Sequence, residues 1–175
     1  MTPCFNRFLL LCALAVMPLV PCGCGNAPAG GAARASVQSL DLPSLDGRSH
    51  LTLEQNRGKV VLLGFWSVYC GACDEAQPFF ARISGRMDKA AFSLITVNTG
   101  DDPEDVRAYA AEKKIKYPVG LDTGHKAVSA FRVRGTPAFI LLDKKGAERA
   151  RWLGYFPDLE SDIESAIKKI MAEPA

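Results

Sequence analysis

The sequence carries little net charge: 21 basic residues stand against 19 acidic ones, for +2 overall. The two signs are interspersed and no stripe interleaves aromatic with basic residues, which argues against nucleic acid as a partner. Long apolar runs are also missing. Phe8 to Val20 is thirteen residues, short of the ~20 that a membrane-spanning helix needs. Histidine is scarce; His50 and His125 are the only two, each isolated. There is one CxxC and no second pair, which is half a tetrahedral zinc site. Two thiolates alone would suit Cu(I) better. No internal repeat occurs, and 175 residues suffice for one domain plus a leader. A composition 48 % hydrophobic and 23 % charged excludes a disordered chain.

What is present begins with a leader. Met1 to Asn6 hold no acid, Arg7 is positive, and the apolar stretch follows, the pattern of a secretion signal. Six cysteines stand at 4, 12, 22, 24, 70 and 73. Val20-Pro21-Cys22-Gly23-Cys24-Gly25 resembles a bacterial lipoprotein signal, although Pro21 and Cys22 depart from its aliphatic-then-small pattern. Lipidation of Cys24 would leave only the pair Cys70 and Cys73, whereas lipidation of Cys22 would leave an odd thiol in an oxidising compartment. Simple cleavage nearby and an uncleaved anchor are the alternatives. Asn26 to Ala35 is mostly Ala, Gly and Pro and reads as a tether. The expected organisation is a signal at 1–24, a tether at 25–36 and a folded domain at 37–175.

Within that domain, alternation in Ser39–Leu42 and Ser49–Leu53 around Asp46-Gly47 predicts a hairpin. Lys59 to Trp66 is a near-continuous apolar run, as for a strand buried on both faces. Ala76, Phe79, Phe80, Ile83 and Met87 form the stripe of a helix that Pro78 should bend. Phe92–Val97 predicts a second buried strand. Asp101 and Asp102 offer an N-cap ahead of Pro103, and Val106, Tyr109 and Ala110 face inward from the helix that follows. Val119–Leu121, a helix at Lys126–Phe131, a hairpin from Ala138–Leu142 to Glu148–Leu153, and a helix marked by Leu159, Ile163, Ile167 and Ile170 complete the order. Alternating β-α-β followed by β-β-α predicts an α/β domain with a mixed central sheet and helices on both faces.

Cys70-Gly71-Ala72-Cys73 falls where the first buried strand hands over to the helix. A cysteine at a helix N-terminus meets unpaired N–H groups and the positive end of the dipole, which favours its thiolate. The thiolate is the nucleophile of disulfide exchange, and a second cysteine one turn on resolves the mixed disulfide. Cys70 is therefore expected to be exposed and attacking, and Cys73 buried and resolving. As a purely structural bridge, so short a loop gains little.

Phe65-Trp66-Ser67-Val68-Tyr69-Cys70-Gly71-Ala72-Cys73, followed by Pro78, resembles the active-site segment of thioredoxin-like proteins. Gly135-Thr136-Pro137-Ala138 resembles their second signature, a cis-proline packed beside the dithiol. The early hairpin and Lys116–Asp122 resemble the membrane-associated, extracytoplasmic branch whose reductases serve cytochrome c maturation. The resemblance covers approximately residues 37–170. It implies a three-layer α/β/α sandwich with a mixed central sheet and an N-terminal β-hairpin. It further implies a catalytic pair Cys70 and Cys73, and a substrate surface of Trp66, Tyr69, Gly71, Ala72, Thr136 and Pro137. No cofactor beyond the redox-active disulfide and no metal are implied. The implied partners are protein thiols and disulfides and an electron-donating redox protein, served by a monomer outside the cytoplasm, with membrane contact through a lipid at Cys24.

Departures from the pattern matter for the proton route. Gly64 stands where many thioredoxins carry a buried aspartate, and Ala76 where cytochrome-maturation reductases often have a glutamate; Glu75 is about 100° away on a helix. Tyr69 and Ala72 replace the common tryptophan and proline. A disulfide-donating oxidase shares the motif, but the histidine frequent between the cysteines of strong oxidants is absent. A Cu(I) carrier would need His125 or a methionine near the dithiol. Ser67 has the spacing of the peroxiredoxin Ser/Thr, yet Leu63 stands where that family has proline.

Overall fold

A computed structural model describes residues 39–174. The secretion signal, the tether and the lipidation candidate Cys24 lie outside the described residues. The chain opens with the expected antiparallel hairpin, β1 (Asp41–Pro43) and β2 (His50–Thr52), Leu42 opposite Leu51. Gly47 makes its turn at φ +67°, a conformation that costs a residue without a Cβ little.

The main sheet has five strands in the order β5-β4-β3-β6-β7: β3 (Val60–Trp66), β4 (Phe92–Asn98), β5 (Val119–Leu121), β6 (Ala138–Leu142) and β7 (Glu148–Leu153). The β3–β4 and β4–β5 pairs are parallel, while β6 runs antiparallel to β3 and β7 to β6. Helices α1 (Gly71–Arg86), α2 (Pro103–Glu112), α3 (Lys126–Ala130) and α4 (Leu159–Met171) fill the connections and close the chain. α1 carries Pro78 as a helical residue and ends at Arg86, so Met87, expected on its stripe, is already extended.

Strand alternation divides the core in two. Val60, Leu62 and Trp66 point to one face with Phe79, Phe80 and Ile83 of α1 and Leu159, Ile163 and Ile167 of α4. Val61, Leu63 and Phe65 point to the other with Ala127, Phe131, Leu40 and Leu42. Both faces are thus covered, the second by a five-residue helix together with the hairpin. Each large apolar side chain fully buried contributes about 1.5–3 kcal/mol, which is why all seven residues of β3 are apolar or glycine. The result is a thioredoxin-like α/β fold. No described helix is long and apolar enough to cross a membrane.

Candidate active site

Parallel strands β3 and β4 end on the same side of the sheet, and the loop from Ser67 to Cys70 turns there into α1. Cys70 is the N-cap of that helix, in extended backbone, and no side chain caps the end. Its carbonyl accepts from Cys73 N at 2.9 Å and from Asp74 N at 3.3 Å. Cys70 and Cys73 form a disulfide with Cα atoms 5.2 Å apart. Cys73 is fully buried and Cys70 partly exposed. At the N-terminus of a 16-residue helix, the dipole and the first N–H groups favour the thiolate of a reduced Cys70.

The approach loop is held by a residue that sequence reasoning placed elsewhere. Asp101 was expected to share the capping of α2, but only Asp102 caps, accepting from Glu104 N at 2.8 Å. Asp101 turns back to the dithiol loop instead. It accepts from Ser67 Oγ (2.9 Å), Val68 N (2.7 Å) and Asn98 Nδ2 (2.7 Å), and its own N–H donates to Asn98 Oδ1 (3.0 Å). Ser67 is therefore a member of this clamp. Asp101→Ala would leave several donors unpaired at the same place, and a loss of about 2–3 kcal/mol is expected. Urea unfolding checks it, with Asp101→Asn expected to retain part of the loss.

Helix α2 ties the other side. Tyr69 OH donates to Asp105 Oδ2 (2.6 Å), Tyr109 OH donates to Asp74, and Lys113 Nζ lies 3.7 Å from Asp74 Oδ2. Beneath them Tyr117 OH donates to the buried Gln77; neither Gln77 Nε2 nor Trp66 Nε1 has a hydrogen-bond partner among the described residues. Gln77 had no place in the sequence reading, although its i+4 spacing from Cys73 puts both on the buried stripe.

All four tyrosines hold their protons more tightly than a free phenol. Burial, then Asp74, raises Tyr109; burial, then Tyr109, raises Tyr117; the bond to Asp105 raises Tyr69. Burial, then Glu160, pushes Tyr155 up to about 12. A group with its folded pKa raised favours folding fully below its unfolded pKa of about 10 and loses that contribution as pH rises through the folded value. Stability is therefore expected to fall from about pH 10 upward, with tyrosinate absorbance delayed beyond the free-phenol range and Tyr155 ionising near pH 12. Four phenols titrating near pH 10 in the folded protein would contradict the network.

Across the dithiol lies the second signature. Thr136–Pro137 is cis, and the Thr136 carbonyl oxygen is 3.4 Å from Cys70 Sγ. Pro137 is buried, and its carbonyl accepts from Gly154 N at 2.7 Å. Of the expected substrate surface, Tyr69 is 76 % exposed, Gly71 and Ala72 are exposed, and Thr136 is half-buried beside Cys70. Trp66, expected on that surface, is not part of it. As an even-numbered residue of β3 it points under α1, is fully buried, and stacks on Tyr109 with ring centroids 5.3 Å apart. A partner at the surface cannot touch it.

The two departures have a steric account. Gly64 faces α1, and a Cβ there would lie 2.4 Å from Cε1 and 2.6 Å from Cζ of Phe80. Ala76 is fully buried in the same cluster, and Glu75 is exposed. His50 bonds Asp41 at 2.6 Å, and the His125 ring lies over Gly100. Among the described residues no group of three or more His, Cys, Asp or Glu could hold a metal.

Known proteins match this arrangement. A model of the Redoxin family matches residues 28–167. The thiol-disulfide oxidoreductase ResA of Geobacillus thermodenitrificans is 30 % identical over 126 residues, 71 % of this chain and 72 % of that one. ResA of Halalkalibacterium halodurans is 28 % identical over 116 residues, 65 % of each. The chain thus spans about two thirds of the length of these relatives. A thiol-disulfide isomerase from Corynebacterium glutamicum superposes with a TM-score of 0.71 at 24 % identity, over 81 % of this chain and 99 % of the other, a likeness of fold.

Proposed function

Because the chain belongs to the Redoxin family and is a thioredoxin-like thiol–disulfide oxidoreductase, we propose that Cys70 and Cys73 are its catalytic pair and that it reduces disulfides of partner proteins outside the cytoplasm. The observation that carries the reading is a half-exposed Cys70 at the head of α1, joined to a buried Cys73 and lying 3.4 Å from the Thr136 carbonyl. Reduced Cys70 attacks a partner disulfide as thiolate, forming one S–S bond while the partner's other sulfur leaves as thiolate and takes a proton. Cys73, deprotonated, then attacks Cys70 Sγ. That step makes the intramolecular disulfide and releases the second partner thiol, so two electrons pass to the partner. A separate electron-donating protein returns the pair to the dithiol. No further cofactor enters this cycle.

The leader supports an extracytoplasmic location, with signal 1–24, a lipid at Cys24, tether 25–36 and a monomeric domain from 37. Gly71-Ala72, without histidine, favours reduction over disulfide donation. Direction rests on the potential, where about 30 mV is worth about 1.4 kcal/mol for this couple. Titration against glutathione buffers is expected to give a value between those of thioredoxin and protein disulfide isomerase, about −270 and about −180 mV. A value near or above about −120 mV would make the protein a disulfide donor.

A further inference from the structure

Beside the cis-proline segment the surface changes character. A groove of about 340 Å³ opens there, edged by Arg132, Arg134 and Arg151 and walled by Val133, Trp152 and Leu153. Arg151 is already neutralised: it binds Glu148 at 2.9 Å and the Phe131 carbonyl at 2.7 Å. Arg132 and Arg134 are exposed, and no carboxylate among the described residues pairs with either. Arg132 sits at φ +52° just after α3, exposed between the buried Phe131 and the partly buried Val133. Leu153, 57 % exposed, gives the groove an apolar wall.

The groove borders the segment that carries the Thr136 carbonyl, since Arg134 and Ala138 on either side of it line the groove. Arg134 precedes Thr136 by two residues, hence lies about 7 Å along the chain from it, and the Thr136 carbonyl is 3.4 Å from Cys70 Sγ. On the α2 side stand the exposed Glu104 and Asp105 with Arg107 beside them, while Asp74 of α1 is paired with Lys113. The dithiol therefore lies between two unpaired arginines on one side and the Glu104 and Asp105 carboxylates of α2 on the other, although the whole chain is nearly neutral.

Resting on the oxidoreductase reading above, we infer that the groove selects partner segments bearing acidic side chains about two to four residues from the cysteine that is attacked. Carboxylates there would pair with Arg132 and Arg134 while apolar neighbours cover Leu153 and Val133. Negative charge on the α2 side would be repelled, so the same contacts set the direction in which the partner chain lies across Cys70. Complementarity of this kind acts on encounter and register more than on chemistry.

The test uses three disulfide-linked peptides of equal length, with Asp pairs, Lys pairs or Ser pairs flanking the cysteine, and the reduced wild-type protein. Second-order rate constants at low salt are expected to favour the Asp peptide over the Lys peptide about tenfold. The preference should collapse near 1 M salt, where the screening length is about 3 Å. In the double variant R132E/R134E it should invert. Equal rates for the three peptides in the wild type overturn the groove, as does an acidic preference that survives the double variant or high salt. Failure of the wild type to reduce any of them, the Ser peptide included, overturns the oxidoreductase reading itself.

Discussion

The Cys73→Ala protein, reduced and mixed with a disulfide-linked peptide, is expected to stop after one bond exchange and accumulate a mixed disulfide through Cys70. Cys70→Ala is expected to accumulate none. The asymmetry follows from position. Cys70 is the N-cap of α1 and partly exposed, whereas Cys73 lies one turn inside with no accessible surface. An attacking sulfur must be reached by the partner, and a resolving sulfur needs only to reach Cys70. Both variants lose multiple turnover completely, so turnover alone does not separate the roles; mass spectrometry of the trapped species does. Equal trapping by both variants, or trapping through Cys73, would reverse the assignment. Trapping by neither, together with stoichiometric Cu(I) binding, would make the chain a carrier.

Gly64→Asp, which restores the aspartate common in thioredoxins, is expected to unfold the protein rather than provide a proton route. The new Cβ would lie 2.4 Å from the Phe80 ring, and that ring cannot retreat easily. It is fully buried and packs against Phe139 at 5.4 Å, Tyr117 at 5.8 Å and Phe79 at 6.2 Å between centroids. Overpacking alone costs about 1–3 kcal/mol, the loss expected for Gly64→Ala. A carboxylate buried without a partner adds several kcal/mol more, against a total stability of about 5–15 kcal/mol. Phe80→Leu should make the Gly64→Ala loss smaller than in the parent, because the two side chains compete for one space. Denaturant unfolding of the four proteins measures this coupling. A Gly64→Asp variant as stable as the parent would show that α1 is not seated on β3 as described.

The sheet was legible because its central strands are apolar on both faces, and β3 has no polar residue to confuse the reading. The dithiol and the Thr136–Pro137 segment were legible because short motifs mark them. Trp66 was misplaced by the motif itself: its neighbours are at the surface, but β3 alternation puts it beneath α1. Asp101 and Asp102 were indistinguishable in sequence, since either can cap a helix before Pro103. Only the return of β4 beside β3 brings Asp101 to Ser67 and Val68. Gln77 could have been found from its i+4 spacing to Cys73, but its partner Tyr117 stands 40 residues away. The arginine groove left no periodic signal, because its charges come from one short loop and a neighbouring strand.

The claim on which the rest depends is that the helix N-terminus makes Cys70 the reactive thiolate. Alkylation of the reduced protein across pH, with the modified cysteine identified by mass spectrometry, reads this directly. Cys70 is expected to react first, with half-maximal rate below the pH of about 8.5 at which a free thiol ionises, while Cys73 stays unmodified in the folded state. Cys73 reacting first, or Cys70 reaching half-maximal rate only at or above about 8.5, would contradict it.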